Sequence, residues 1–256
     1  MQFKRAWKQV DGVLLLDKPI GLTSNDALQK ARRLFSAAKG GHTGTLDPLA
    51  TGLLPLCFGE ATKFSADLLD ADKTYEAELK LGVTTDSGDA EGEIIATAAV
   101  DVAESDISRV LPQFTGDIEQ IPPMHSALKR NGRPLYELAR KGIEVEREPR
   151  AVTIYAIDLL NFAGDRLTLR VACSKGTYIR VLAADIGKAL GCGAHLAGLR
   201  RTVVGDLDLA RSVTLAELEA LDEAGRAEHL QPVDALLHSL PVVMLEGEDA
   251  ERFRHG

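Results

Sequence analysis

Asp47 is the one acid in the stretch "GGHTGTLDPLATGLLPLC" (Gly40–Cys57), with His42 five residues upstream and Pro48 directly after it. Nearby glycines leave the carboxylate little steric cover, and the proline stiffens its presentation. A carboxylate held this way can act as a nucleophile at a sugar carbon, as in retaining glycosidases. That chemistry ordinarily uses a second carboxylate, and spacing pairs none with Asp47. A plainer reading is a structural turn: Asp-Pro often initiates one, and Gly44 and Gly52 suit tight bends. These residues alone leave both readings open.

Other chemistries lack their patterns. No Gly-Lys-Ser/Thr follows the glycines, so a phosphate loop of the Walker type fails, and no G-x-G-x-x-G follows a strand here. The nucleophile elbow G-x-S-x-G is absent. There is no C-x-x-C and no pair of histidines at i, i+4, so no metal site is expected. Three scattered cysteines, Cys57, Cys173 and Cys192, suit free thiols in a reducing cytoplasm better than a disulfide framework. No run of 18 apolar residues suggests a membrane span, and "MQFKRAWKQVDG" lacks the apolar region of a secretory signal.

The elements that must position these residues follow from periodicity. "GVLLLDKP" reads as a strand over Gly12–Leu16 ending in a Lys-Pro turn. "TSNDALQKARRLF" reads as a helix capped at Ser24/Asn25, with Ala27, Leu28, Ala31, Leu34 and Phe35 at helical spacing. The Asp47 stretch has too many glycines for a helix and too little alternation for a strand, so it reads as a loop. "LLPLCFG" returns to a buried strand. In "KTYEAELKLG", Tyr75, Ala77, Leu79 and Leu81 face one way and Glu76, Glu78 and Lys80 the other, as on a half-exposed antiparallel strand. "DSGDAEGE" is a polar turn, and "SDISRVLPQFTG" a short helix bent at Pro112. "AVTIYAIDLLNF", "RLTLRVACS" and "HLAGLRRTVVGDLDL" are strands. "GTYIRVLAADIGKALG" opens a helix that Gly191 stops, and Thr214 with Glu217 forms a capping box. Strands and helices mix without strict βαβ alternation. That predicts an α+β fold on a central mixed, mainly antiparallel sheet flanked by helices and loops.

The chain carries 38 acidic and 30 basic residues, a net charge of −8. Its distribution matters more than the sum. Residues 1–40 hold eight Lys/Arg against three Asp/Glu, and residues 129–150 seven against four. Residues 64–120 hold three against fourteen. Such blocks are either solvated faces or, where basic, a nucleic-acid footprint.

"GHTGTLDPLATGLLP" closely resembles the catalytic motif of the TruB-type tRNA pseudouridine-55 synthases. "VLLLDKPIGLTSNDAL", "KTYEAELKLG", "PPMHSALK", "GRPLYELAR", "SKGTYIR" and "LAGLRRT" resemble further family blocks in the family's order, from Asp11 to about Val242. The resemblance implies an isomerisation. A uridine in the T-arm of tRNA is flipped out, detached at its N1–C1′ bond, turned and rejoined through C5. Product and substrate share the same atoms, so no cofactor is implied.

By this resemblance Asp47 is the nucleophile, at C1′ of the ribose or C6 of the base, and must be ionised and shielded from water. Arg180 is the basic residue that pairs with it, and Tyr75 the active-site tyrosine beneath the uracil. Tyr178 and Leu199 line the pocket. His42 intrudes where the base has left the stack, and Lys18 and Pro19 buttress the active-site strand. The basic excursion 121–150 resembles the family's thumb-like segment, so Lys129, Arg130, Arg133, Arg140 and Lys141 would contact phosphates.

The resemblance makes 1–243 the catalytic domain and 244–256 the beginning of a small PUA-type RNA-binding domain. It implies tRNA as partner, no obligate protein partner and a cytoplasmic location. Three rivals remain: a guide-RNA-dependent relative, a tRNA-binding folding helper, and a hydrolytic glycosidase acting on a nucleoside.

Overall fold

The apolar run Gly12–Lys18 forms β1, buried along nearly its whole length. The computed structural model describes residues 6–126, 128–130, 132–139, 141–237 and 243–255, apart from the side chains of Asp67, Lys129 and Arg130. After β1 come α1 (Ser24–Leu34), β2 (Gly40–His42), β3 (Ala50–Phe58), α2 (Ser65–Leu69) and β4 (Lys73–Leu81). A hairpin of β5 (Val83–Thr85) and β6 (Ile94–Thr97) then precedes α3 (Glu104–Val110) and β7 (Gly116–Gln120). The basic excursion holds β8 (Lys129–Arg130), β9 (Arg133–Pro134) and α4 (Leu135–Ala139). β10 (Arg150–Ala163), β11 (Arg166–Cys173), α5 (Ile179–Ala189), β12 (Ala194–Val204), β13 (Leu207–Asp208) and β14 (Val213–Thr214) follow. The last elements are α6 (Leu215–Ala220), α7 (Glu223–Glu228), β15 (Leu230–Gln231) and α8 (Gly247–His255).

Among the described residues, eleven strands form one sheet, ordered β14-β1-β3-β12-β4-β11-β10-β7, with β2 on β3, β13 on β12 and β15 on β1. The β1–β14 and β3–β12 pairings are parallel and the others antiparallel. This is the α+β, mixed and mainly antiparallel architecture that the element pattern predicts. β-Strand alternation sorts β1 between two cores: Leu14 and Leu16 pack with Ala27, Leu28 and Ala31 of α1, whereas Val13 and Leu15 pack with Leu53, Ala235 and Leu236. A third core joins Ala77, Leu79, Leu169 and Val171 to Leu182, Ala183 and Ile186 of α5. Tyr75 and Leu199 touch both the α1 core and the α5 core, so they lie at the junction between the two packed halves.

Two local expectations change. The cap of α1 is Thr23, in a capping box with Asp26, rather than Ser24/Asn25. The Ser24 hydroxyl is instead buried and bonded to Leu46, accepting from its N–H at 2.7 Å and donating to its carbonyl at 3.1 Å. The ends of the Asp47 stretch are strands, β2 and the start of β3, and only residues 43–49 form the loop. Backbone pairing with a neighbouring strand decides this, and it needs no side-chain alternation.

The register aligns Lys18, Gly52, Arg201 and Tyr75 as successive partners across β1, β3, β12 and β4. Gly52 has φ +98°, and a Cβ there would stand 2.3 Å from the Arg201 carbonyl oxygen. Gly52→Ala should therefore lose on the order of 3 kcal/mol from combined strain and collision. Gly41→Ala, on β2 with open space around it, should stay within about 1 kcal/mol. Urea unfolding of both variants measures this, and equal midpoints would refute it.

Candidate active site

The loop bearing Asp47 is pinned by its neighbours. Leu46 is 3% exposed and seated in the α1 core, which fixes the residue before the acid. The Pro48 carbonyl accepts from Gly21 N–H at 2.8 Å, and Thr43 N–H donates to the Pro55 carbonyl at 3.2 Å. Asp47 is thus held by backbone and core while its own side chain remains 47% exposed. The expected shielding from water is not a property of the chain by itself. Any drying of the carboxylate must come from what lies against it.

Arg180 opens α5 and is nearly buried. Its Nη2 lies 3.3 Å from Asp47 Oδ2, and its Nη1 lies 3.2 Å from Asp89 Oδ2. The same guanidinium donates to the His125 carbonyl at 2.6 Å and the Ser87 carbonyl at 3.3 Å. Asp89 is as buried as the arginine, and its Oδ1 accepts from Ser87 Oγ at 2.6 Å and Glu91 N–H at 3.1 Å. One cation therefore bridges a sealed carboxylate and an open one. Asp89 went unrecognised in the polar turn "DSGDAEGE", because nothing in its spacing sets it apart from its acidic neighbours.

The expected pocket residues lie on α5, β4, β12 and β2. Tyr178 precedes Arg180 as the N-cap of α5. Its N–H donates to Gln120 Oε1 at 2.9 Å, and Gln120 Nε2 donates back to its carbonyl at 3.3 Å. Gln120, 2% exposed, is a second residue that sequence reasoning missed. Burial raises the phenols of Tyr75 and Tyr178. Leu199 supplies the apolar wall between the cores. His42 lies on β2; burial, and then Arg201, lowers its imidazole, so it is neutral at pH 7.

Lys18 is fully buried beneath the loop, its Nζ donating to the Leu22 carbonyl at 2.6 Å and the Pro19 carbonyl at 3.0 Å. Pro19 itself is exposed, so it supports through its carbonyl. Arg133 and Lys141 are exposed in the excursion. Lys129 and Arg130 have described backbone only, and Arg140 lies outside the described residues. No group of three or more metal-ligating side chains occurs among the described residues.

Burial pushes the Lys18 ammonium down to about 8, against an opposing pull from Asp47 and Glu91. Unfolded lysine keeps its proton to about 10.4. Between those values the unfolded chain binds the extra proton, so this site's contribution to stability rises with pH. Urea unfolding at pH 7.5 and 9.5 should show the wild type gaining on Lys18→Met, by at most about 1.4 kcal/mol per pH unit. A pH-independent difference would sink this assignment.

Comparisons with known proteins agree with the geometry. The model for the TruB family pseudouridylate synthase N-terminal domain matches residues 32–179, and that for the tRNA pseudouridylate synthase B C-terminal domain matches residues 180–238. Their boundary falls inside α5, between Ile179 and Arg180, yet both stretches build the same sheet. The tRNA pseudouridine synthase B of Dechloromonas aromatica (strain RCB) is 84% identical over 256 residues, covering 100% of this chain and 86% of that protein. The tRNA pseudouridine synthase B of Azoarcus sp. (strain BH72) is 61% identical over 256 residues, covering 100% and 85%. A crystal structure of a Cbf5-Nop10-Gar1 complex superposes with TM-score 0.75 at 31% identity, covering 96% of this chain and 67% of that one. Family matches spanning most of the chain, and relatives this similar over their own length, lead to one conclusion: the chain belongs to the TruB family of pseudouridylate synthases.

Proposed function

We propose that this chain isomerises a uridine in the T-arm of tRNA, at position 55, to pseudouridine without a guide RNA. The observation that carries the reading is the Asp47–Arg180–Asp89 arrangement at the junction of two cores. One carboxylate is open to a ligand and its cation is anchored from behind, with Tyr75 and Leu199 at the junction of the two cores and Tyr178 capping the helix that carries Arg180. Arg180 holds Asp47 in place through their ion pair at 3.3 Å. A flipped nucleotide entering this cleft replaces water over the exposed carboxylate, which strengthens every charge interaction beneath it. Removing a base from its stack costs a few kcal/mol, returned by contacts within the pocket.

Asp47 attacks at C1′ or C6, and the detached base turns before rejoining through C5. Tyr75 and Leu199 hold the base plane, and Tyr178 closes the side toward α5. The neutral imidazole of His42 suits a wedge against bases better than a phosphate clamp. Lys18 and Pro19 hold the turn behind the loop.

The basic excursion leaves the sheet after Gln120 and returns at Arg150, which are paired across β7 and β10. We read it as the segment that grips the T-loop backbone through Lys129, Arg130, Arg133, Arg140 and Lys141. Residues 1–243 then form the catalytic domain. Residues 244–256, whose exposed Met244 and Phe253 suit a further packing partner, begin the PUA-type domain. No helix among the described residues is long and apolar enough to cross a membrane, and a tRNA substrate places the reaction in the cytoplasm.

The high identity to bacterial tRNA pseudouridine synthase B proteins favours stand-alone action over guide dependence. Unmodified tRNA transcript incubated with this chain alone should acquire pseudouridine at one T-arm site, located by carbodiimide labelling. No product without added RNA or protein would favour the guide-dependent reading, and released free uracil the hydrolytic one.

Asp47→Asn should abolish product, by on the order of 10⁴-fold or more, while tRNA binding changes little. Retained turnover would overturn the nucleophile assignment. Alanine at Arg133 and Lys141 together should weaken binding and flatten the slope of log affinity against log salt by roughly 1 to 2. An unchanged slope would remove both from the RNA interface.

A further inference from the structure

Arg201 is absent from every role assigned above, yet among the described residues it is the largest fully buried side chain, 1% exposed. Its guanidinium cannot lose its proton, so a permanent positive charge lies inside the sheet. No carboxylate pairs with it among the described residues. Its Nε donates to the Leu53 carbonyl at 2.8 Å, and its Nη2 to the Gly44 carbonyl at 3.4 Å. A buried cation satisfied mainly by carbonyls is costly, and stability alone would favour an apolar side chain there.

Its position supplies the reason. Arg201 and Tyr75 are Cα partners on β12 and β4, where alternation sends both side chains to the same face. Beside Arg201 on β3 is Gly52, whose missing side chain lets the backbones close up beneath the loop. The guanidinium therefore touches the loop that carries Asp47, through Gly44, and shares a sheet face with its Cα partner Tyr75.

Resting on the isomerase reading, we infer that Arg201 is a positioning residue for that reaction, tying the Asp47 loop and the Tyr75 phenol into one rigid unit. Arginine has donors only, so toward Arg201 the phenol oxygen can only accept. Its own hydrogen is then free for a partner other than Arg201. Arg201 thus makes Tyr75 a directed hydrogen-bond donor toward the base, and it stabilises the phenol oxygen whenever negative charge builds on it. No proton is transferred to or from Arg201.

The test is a double-mutant cycle on purified full chain, with single-turnover rates and KM on tRNA transcript. Arg201→Met should lower the chemical rate by on the order of 10²-fold with KM changed less than about threefold. In a Tyr75→Phe background the same substitution should cost at least about tenfold less. Arg201→Lys, which keeps the charge but not the fork, should recover part of the loss. Additive losses, a loss confined to KM, or no loss would overturn the inference.

Should both Arg201 variants fail to fold, comparing the wild type with Tyr75→Phe still decides it. Labelled guanidinium nitrogens report whether Arg201 meets the Tyr75 side chain on their shared sheet face. Tyr75→Phe must then shift the Arg201 guanidinium resonances, and unchanged resonances would overturn the contact. If wild-type protein makes no pseudouridine at all, the isomerase reading fails, whatever the Tyr75–Arg201 contact shows.

Discussion

Everything in the cleft depends on one arginine satisfying two carboxylates at once. Arg180 is nearly sealed from water and needs anionic partners. Asp89 meets that need from inside, held by the Ser87 hydroxyl and the Glu91 N–H. The second side of the fork is then free to meet Asp47, which stays open. Breaking a buried pair of this kind usually costs several kcal/mol, since the remaining charge has no partner. The arginine therefore keeps one geometry, and through it the hairpin turn, the start of α5, the segment at His125 and the Asp47 loop share a single arrangement.

The loop meets a second constraint from below. Gly52 lets the β3 and β12 backbones approach at the point where Lys18 and Arg201 flank it. Two buried cations with carbonyl partners thus underlie a solvent-facing anion. Stability alone would not choose that layout. Its electrostatic sense lies in the negative charge above it, and the pull of Asp47 on the Lys18 ammonium shows the two are coupled.

Much of this was legible in the residues. Period-two alternation placed Tyr75 on β4, helical spacing found α1, and the Gly191 stop marked the end of α5. The mixed sheet followed from the order of the elements. What stayed hidden were residues whose role comes from long-range partners. Ser24 looked like a helix cap because Ser favours that position, yet its hydroxyl serves Leu46, 22 residues away. Asp89 looked like one acid among several in a turn, and Gln120 drew no reading of its own. Arg201, within "LAGLRRT", looked like its neighbour Arg200, which instead pairs with Asp17 at 2.7 Å. Local pattern carries no information about which of two adjacent arginines is inside; only strand register decides it.

Gln120 has a mechanical consequence. It is the last residue of β7, the foot of the basic excursion, and its amide grips both backbone groups of Tyr178, two residues before Arg180. The base of the excursion and the first turn of α5 are consequently one joint. Force that travels down the Gln120 side of that arm reaches the sheet within a few bonds of the guanidinium.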